Sequence, residues 1–215
     1  MKYIKNSWLI ITLTLFTLGT TTSVAIEAVS FVGADVEWTN LRAKNDWNKV
    51  LPSTYYGGNF YVGRRFLENL GLEFGYTFTG TQTKTHTFPA GDTFFGSPVG
   101  GTTVKYQVGF NGWHLDLLGY LPIGNCSDVM ASVGFGSLKP RLKNATSNLK
   151  LDGLHKGVMR VGIGIQYMAT DFVGVRVFIR SIRTSTLRIA SYNPNVPIKA
   201  FHDAYSVALG FFFNF

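Results

Sequence analysis

The sequence predicts an all-β chain, an eight-stranded antiparallel up-and-down transmembrane β-barrel, on three observations. Apolar residues recur with period two in eight separate stretches, the period of a strand with one greasy face. The connections between these stretches alternate long and short, as expected when both chain ends lie on one side of a membrane. The last stretch, Ala204 to Phe215, puts Tyr205, Val207, Leu209, Phe211, Phe213 and Phe215 on one face and Ala204, Ser206, Ala208, Gly210, Phe212 and Asn214 on the other. That is about the length a tilted strand needs to cross a bilayer.

The chain begins with Lys2 and Lys5, continues through an apolar run from Trp8 to Leu18, and turns small and polar before Ser23-Val24-Ala25. This is the layout of a secretory signal peptide cleaved after Ala25, so residues 1–25 are set apart as the signal and 26–215 as one barrel domain. The apolar run is short for a transmembrane helix, and no later stretch is long enough for one. Cys126 is the only cysteine, which excludes an intramolecular disulfide framework and a Cys-cluster zinc site. It does not follow the apolar run as a lipoprotein anchor would. The net charge of +8, less Lys2 and Lys5, leaves +6 on the mature chain. For an exported protein this basic excess points away from nucleic acid and toward lipopolysaccharide phosphates or host-surface polyanions.

Taken in order, the first strand, Val29 to Leu41, carries Val32, Ala34, Val36 and Trp38 opposite Gly33, Asp35 and Glu37. A polar connection with Arg42, Lys44 and Pro52 follows. The second strand, Thr54 to Phe66, sends Tyr56, Phe60, Val62 and Phe66 one way and Tyr55, Asn59, Tyr61 and Arg65 the other, and Glu68-Asn69 turns the chain. The third sets Leu70, Leu72, Phe74, Tyr76 and Phe78 against Gly71, Glu73, Gly75, Thr77 and Thr79. Gly80 to Thr103 is Thr/Gly/Pro-rich without a sustained period and reads as a loop. The fourth strand starts with Val104, Tyr106, Val108 and Phe110 in phase and continues with Trp113, Leu115, Leu117 and Leu121. The parity changes at Asn111-Gly112, so a β-bulge is expected there.

Pro122 to Asp128 forms the next short turn. The fifth strand carries Val129, Ala131, Val133 and Phe135 against Met130, Ser132, Gly134 and Gly136, and leads into a basic loop from Lys139 to Lys156. The sixth has Val161, Ile163, Ile165 and Tyr167 against Arg160, Gly162, Gly164 and Gln166; Thr170-Asp171 reverses the chain. The seventh has Val173, Val175, Val177 and Ile179 against Gly174, Arg176, Phe178 and Arg180, and a loop with Arg183, Arg188, Pro194 and Pro197 leads to the last strand.

Alternation alone does not separate a membrane barrel from a lipocalin, whose apolar phase faces inward. Two features favour the membrane barrel. The polar phase is rich in glycine and carries several charges, which suits a narrow interior filled by side chains. Aromatics on the apolar phase gather at strand ends, with Trp38, Tyr56, Phe78, Tyr106 and Tyr205 toward one rim and Phe66, Tyr167, Phe213 and Phe215 toward the other, as two membrane interfaces favour.

Ala131-Ser132-Val133-Gly134-Phe135-Gly136, Val161-Gly162-Ile163-Gly164-Ile165-Gln166-Tyr167, Thr170-Asp171 and the terminal strand resemble the eight-stranded transmembrane domain of outer-membrane protein A and its small stand-alone relatives. The terminal strand, with Tyr205, Phe211, Phe213 and the final Phe215, resembles the signal read by the barrel assembly machinery. The resemblance implies a location in the cell outer membrane, short turns on the periplasmic side and long connections outside. Because the chain stops at Phe215, cell-wall tethering through a further domain is not expected, and the stand-alone relatives, which act through surface loops in adhesion, are the closer likeness.

The inward phase holds Asp35, Glu37, Glu73 and Asp116 with Arg65, Lys105, Arg160, Arg176 and Arg180. Unpaired buried charge is very costly, so these residues are expected to pair into a network that fills the lumen. The alternative is a gate whose pairs swap to open a small-solute or ion pore. His114 and Asp116 share the inward face with Ser132 on the next strand, but residues inside a packed barrel cannot meet a substrate. An enzyme, such as one that modifies lipid A, is therefore not expected, nor is a metal or other cofactor. Lys139, Arg141, Lys143 and Lys150 face almost no acid within one connection, which makes them the candidate anion-binding loop for lipopolysaccharide or host polyanions. The protein is expected to sit as a monomer among outer-membrane lipid.

Overall fold

In the computed structural model, residues 28–43, 47–94, 97–98, 101–144, 149–152, 156–184 and 201–215 are described. The signal peptide expected at 1–25 lies outside them, as do Lys44, Arg188, Pro194 and Pro197. The strands are β1 (Val29–Ala43), β2 (Thr54–Leu67), β3 (Leu70–Thr79), β4 (Gln82–Thr87), β5 (Thr93–Phe94), β6 (Ser97–Pro98), β7 (Thr103–Pro122), β8 (Ser127–Asn144), β9 (Leu149–Asp152), β10 (Lys156–Met168), β11 (Val173–Thr184) and β12 (Phe201–Asn214), with one helical turn at Trp47–Val50.

Eight of these strands close a ring in the order β1, β2, β3, β7, β8, β10, β11, β12 and back to β1, and every neighbouring pair is antiparallel. The closing seam pairs Val36 with Leu209 and Val32 with Phe213. Past it, Ser30 N–H donates to the Phe215 carbonyl at 3.1 Å and Phe215 N–H donates to the Ser30 carbonyl at 2.8 Å. The final residue is thus hydrogen-bonded into the closure. The three short turns fall where the sequence places them, at Glu68-Asn69, Ile123–Cys126 and Ala169–Phe172.

Side-chain parity fixes inside and outside. Val36, Phe60, Ile163, Leu209 and Phe211 point outward and are each more than half exposed, whereas Glu73, Phe178 and Arg180 point inward and are buried. A continuous apolar exterior of this kind would drive aggregation in water. It is the exterior of a barrel surrounded by hydrocarbon, with polar groups turned to the lumen, the reverse of a lipocalin.

Three features of the extracellular half differ from the sequence expectations. The β7–β8 ladder runs without a register shift from Tyr106↔Asn144 to Pro122↔Asp128, so there is no bulge at Asn111-Gly112. Val108 and Phe110 lie on the same inward phase as His114, Asp116, Leu118 and Tyr120, and both are buried. The parity change is a change of content, because apolar side chains fill the lumen at this end; Tyr106 accordingly belongs to the inward phase and leaves the outer aromatic girdle. The irregularity lies in the partner strand. β3 ends its pairing at Phe78↔Asn111 and β4 begins at Gln82↔Val108, which leaves one extra residue within Thr79–Thr81.

The second difference is that Gly80 to Thr103 is not wholly a loop. β4 continues the hairpin against β7 from Thr87↔Thr103 to Gln82↔Val108, above the ring. Third, the basic segment after Phe135 continues β8 to Asn144, and β9 returns along it with Lys143↔Lys150 and Arg141↔Asp152.

Candidate functional sites: the lumen charge cluster and the extracellular cations

Inward residues of neighbouring strands meet in the lumen and form clusters there. Toward the periplasmic end Phe31, Tyr61, Leu118, Tyr120, Met130, Phe178, Ala208 and Phe212 form one apolar cluster. Toward the other end Val158, Ile182 and Ala204 form a second, with Leu138 against it, and Tyr55 and Phe110 meet edge-to-face at 5.0 Å. The charged residues are packed among these clusters, with Phe178 between Arg176 and Arg180 on β11 and Tyr61 against Arg176.

Arg176 is the hub. Its Nε donates to Asp35 Oδ1 at 3.0 Å and its Nη2 to Asp35 Oδ2 at 2.9 Å, a bidentate pair; its Nη1 and Nη2 also donate to the Glu73 carboxylate. The guanidinium carbon stands 3.4 Å from the centroid of the Tyr61 ring, whose hydroxyl donates to the Phe211 carbonyl at 3.0 Å. Arg180 Nη2 approaches Asp35 Oδ2 at 3.5 Å and its guanidinium lies over Phe178. Asn59 Nδ2 donates to Asp35 Oδ2 at 3.2 Å. Arg160 Nη2 lies 3.5 Å from Asp116 Oδ2.

Small residues make room for this cluster. A Cβ added to Gly210 would overlap the Asp35 carboxylate, and one on Gly134 would overlap Asp116. Glycine on the inward phase is therefore required by close approach.

Of the nine residues expected in the lumen network, Asp35, Glu37, Glu73, Asp116, Arg160, Arg176 and Arg180 are buried in the lumen. Neither carboxylate oxygen of Glu37 or of Asp116 has a hydrogen-bond partner among the described residues, and Asp116 is held by its ion pair with Arg160. Arg65 is inward but lies at the periplasmic mouth, where its Nη1 pairs with Asp128 Oδ2 at 3.0 Å. Lys105 is not in the lumen: it is exposed, on the outward phase of β7, opposite Thr85 of β4.

Two participants were missed from the sequence. Asp128, assigned to a turn, is the inward-facing partner of both Arg65 and Gln166, whose Nε2 donates to it at 2.7 Å. Extending the β8 parity back from Met130 by two residues would have placed it inward. His114, on the inward face with Asp116, is the second: its Nε2 lies 3.7 Å from Glu73 Oε1 and 4.0 Å from Asp116 Oδ2. Among the described residues Glu73, His114 and Asp116 gather three potential metal ligands within 4.8 Å of one another. Arg176 at Glu73 and Arg160 at Asp116 already bring positive charge to both carboxylates. Ser132 is buried and pairs with Leu118, and its hydroxyl has no hydrogen-bond partner among the described residues.

The extracellular cations occupy different surroundings. Lys139, Arg141 and Lys143 lie on the extension of β8, not in a loop, and all three share its outward phase. Arg141 Nη2 donates to the Thr79 carbonyl at 3.1 Å. Lys150 lies opposite Lys143 by register, and its side chain is outside the described set. Lys84, on the inward phase of β4, donates to the carbonyls of Asn48 at 2.6 Å and Leu51 at 3.1 Å, which ties the first long connection to the second.

No protein-family model matches the chain, and no curated protein does. Several solved structures share its fold. Neisserial surface protein A superposes with a TM-score of 0.54 at 9% identity, covering 87% of this chain and 97% of that one. Ail, the attachment invasion locus protein of Yersinia pestis, solved in complex with the heparin analogue sucrose octasulfate, gives 0.52 at 10% identity over 88% of this chain and 100% of that one. A major outer membrane protein from Thermus thermophilus gives 0.52 at 14% over 88% and 100%. With its apolar exterior, polar interior and terminal residue bonded into the seam, the chain has the fold of the small eight-stranded outer-membrane β-barrels.

Proposed function

We propose that the protein is a surface-interaction barrel, adhesin-like in character, that works through basic extracellular extensions and keeps its lumen closed. The observation that carries this is the packed interior, with bidentate ion pairs set among apolar side chains. Buried charges with bidentate partners do not rearrange cheaply, since separating one partner leaves the other uncompensated in a dry interior. Cations on β7 and β8 stand outside the ring, on the outward phase of those strands. Their chemistry suits phosphate or sulfate polymers, either lipopolysaccharide or host-surface polyanions. The polysulfated ligand present in the Ail complex is of the same chemical class and supports the reading.

The protein needs no cofactor for this, meets the barrel assembly machinery only during biogenesis, and acts as a monomer in outer-membrane lipid. A pore would require Arg176 to release Asp35 and Glu73 together. A lipid A-modifying enzyme would require His114, Asp116 and Ser132 to reach a substrate from inside the wall.

The test joins three measurements. Purified barrel in planar bilayers should give little or no conductance, its expression should leave the lipid A profile unchanged, and it should bind heparin or lipopolysaccharide with an affinity that falls as salt rises. Large reproducible channels would establish the pore instead, and a lost or gained acyl chain would establish the enzyme.

A further inference from the structure

The registers of β4, β7, β8 and β9 bring four sequence segments onto one flat face. Thr87↔Thr103, Thr85↔Lys105 and Thr83↔Gln107 pair across β4 and β7; Gln107↔Lys143, Gly109↔Arg141 and Asn111↔Lys139 pair across β7 and β8. Directly paired residues of an antiparallel sheet lie on the same side, so these threonines, the glutamine and the cations share a single surface. Thr83, Thr85, Thr87, Thr103, Lys105 and Arg141 are exposed on it. By backbone register, β9 runs beside this part of β8, with Lys150 opposite Lys143 and Asp152 opposite Arg141.

The same columns continue downward as the membrane-facing wall, through Trp113↔Ser137, Leu115↔Phe135 and Leu117↔Val133. The transition occurs between Trp113 and Asn111, whose side-chain amide donates to the Tyr76 hydroxyl at 2.6 Å. An aromatic and a tyrosine hydroxyl at that level mark the edge of the hydrocarbon. With a rise of about 3.3 Å per residue and a strand tilt of about 40°, Lys139 stands roughly 5 Å and Lys143 roughly 15 Å above the Trp113 level, and the Thr87/Thr103 pair roughly 25 Å. The face therefore spans the height of headgroup phosphates and the sugars attached to them.

Its orientation selects the partner. Because the face prolongs the barrel wall, its normal runs along the membrane plane, toward whatever stands beside the protein in the same leaflet. A polymer approaching from the medium meets the hairpin tips end-on. We propose that this outward sheet face is a lateral binding site for the phosphorylated core of lipopolysaccharide in the surrounding leaflet, with Lys105, Lys139, Arg141 and Lys143 on the phosphates and the threonine hydroxyls and Gln107 on the sugars. This rests on the surface-interaction reading above and narrows its ligand. The sheet is a fixed platform, since its opposite side is held by Lys84 on the Asn48 and Leu51 carbonyls and by buried Val108, Phe110 and Pro140.

The test uses the full barrel in lipid nanodiscs containing core-bearing lipopolysaccharide, either native or enzymatically dephosphorylated, with retention of the glycolipid near the protein measured by energy transfer from a labelled core. The parent is expected to enrich the native form over the dephosphorylated one. The variant K105Q/K139Q/K143Q, which spares Arg141 and its bond to Thr79, should lose at least about 10-fold of that enrichment at low salt while keeping a heat-modifiable gel shift. R141Q tested separately should act in the same direction. Equal enrichment of both glycolipids, or parental enrichment by the triple variant, overturns the lateral site. Heparin binding by the parent is measured in parallel: if it persists while either of those outcomes is seen, only this inference falls, and if the parent binds neither heparin nor lipopolysaccharide, the surface-interaction reading falls with it.

Discussion

Replacing Arg176 by methionine removes the hub of the buried cluster and keeps most of its volume. Arg176 is bonded to both oxygens of Asp35 and to the Glu73 carboxylate, and all three side chains are almost wholly shielded from solvent. The substitution leaves two carboxylates in the lumen, where Arg180, at 3.5 Å from Asp35, is the nearest remaining cation to that acid. Breaking a buried ion pair from one side costs about 3–5 kcal/mol, and here two acids lose their partner, so the upper part of that range is expected. At a denaturant slope of about 2 kcal/mol per M, the urea midpoint of the refolded barrel should fall by about 2 M. The assay is intrinsic fluorescence during urea unfolding in detergent micelles, with gel mobility as a second probe. Neutralising the orphaned acids in the triple variant R176M/D35N/E73Q should restore stability to within about 1–2 kcal/mol of the parent, because the cost lies in uncompensated charge and not in lost volume. A single variant that loses less than about 1 kcal/mol, or a triple variant no better than the single, would refute the reasoning.

Deleting Phe215 and replacing it with Asp should both reduce insertion in cells while export continues. In vitro only the deletion should also destabilise the refolded barrel, by about 1 kcal/mol for each of the two seam hydrogen bonds with Ser30, as seen in urea titrations. Gly210→Val should abolish the heat-modifiable band, since its Cβ would overlap Asp35 and the Ala34 carbonyl; Gly157→Ala, with nothing within 4 Å, should change stability by no more than about 0.5 kcal/mol. In the extracellular hairpin, the Thr93 N–H and then the Lys49 ammonium, 3.3 Å away, hold the Asp92 carboxyl below its usual range. A carboxyl with a depressed folded-state pKa contributes stability above its unfolded value and loses it as pH falls through the folded one. Amide exchange around residues 88–93 should therefore speed up, relative to its intrinsic rate, on acidification below the normal carboxylate range, and Lys49→Gln should remove only part of that response, because the Thr93 N–H remains.

Much of the barrel was legible in the sequence because its signals are local. The inward and outward phases of β1, β2, β3, β10, β11 and β12 match residue by residue, since alternation is a property of the strand itself. The short turns were equally plain. Eight of the nine residues expected to face inward do so by parity, seven in the lumen and Arg65 at its mouth, whereas the outward phase of Lys139, Arg141 and Lys143 does not follow from a segment that reads as a basic loop.

Tertiary structure decided what parity cannot see. Val108 and Phe110 look like outward residues because they are apolar, yet they face a lumen whose end is filled by Tyr55, Leu138 and Ile182; hydrophobicity marks burial, and burial here comes both from lipid and from the packed interior. Lys105 was drawn inward by the false bulge that followed from the same confusion. The choice of Arg176 for both Asp35 and Glu73 and the joining of Arg65 to Asp128 depend on residues 63 to 141 positions apart meeting in the lumen, and the approach of His114 to Glu73 likewise depends on two strands meeting. The outward face of threonines and cations likewise exists only once three hairpins share a register. Alternation sets which side of its own strand a residue occupies, but the shear of the closed ring sets which residues of other strands it meets, and that is a property of the whole ring.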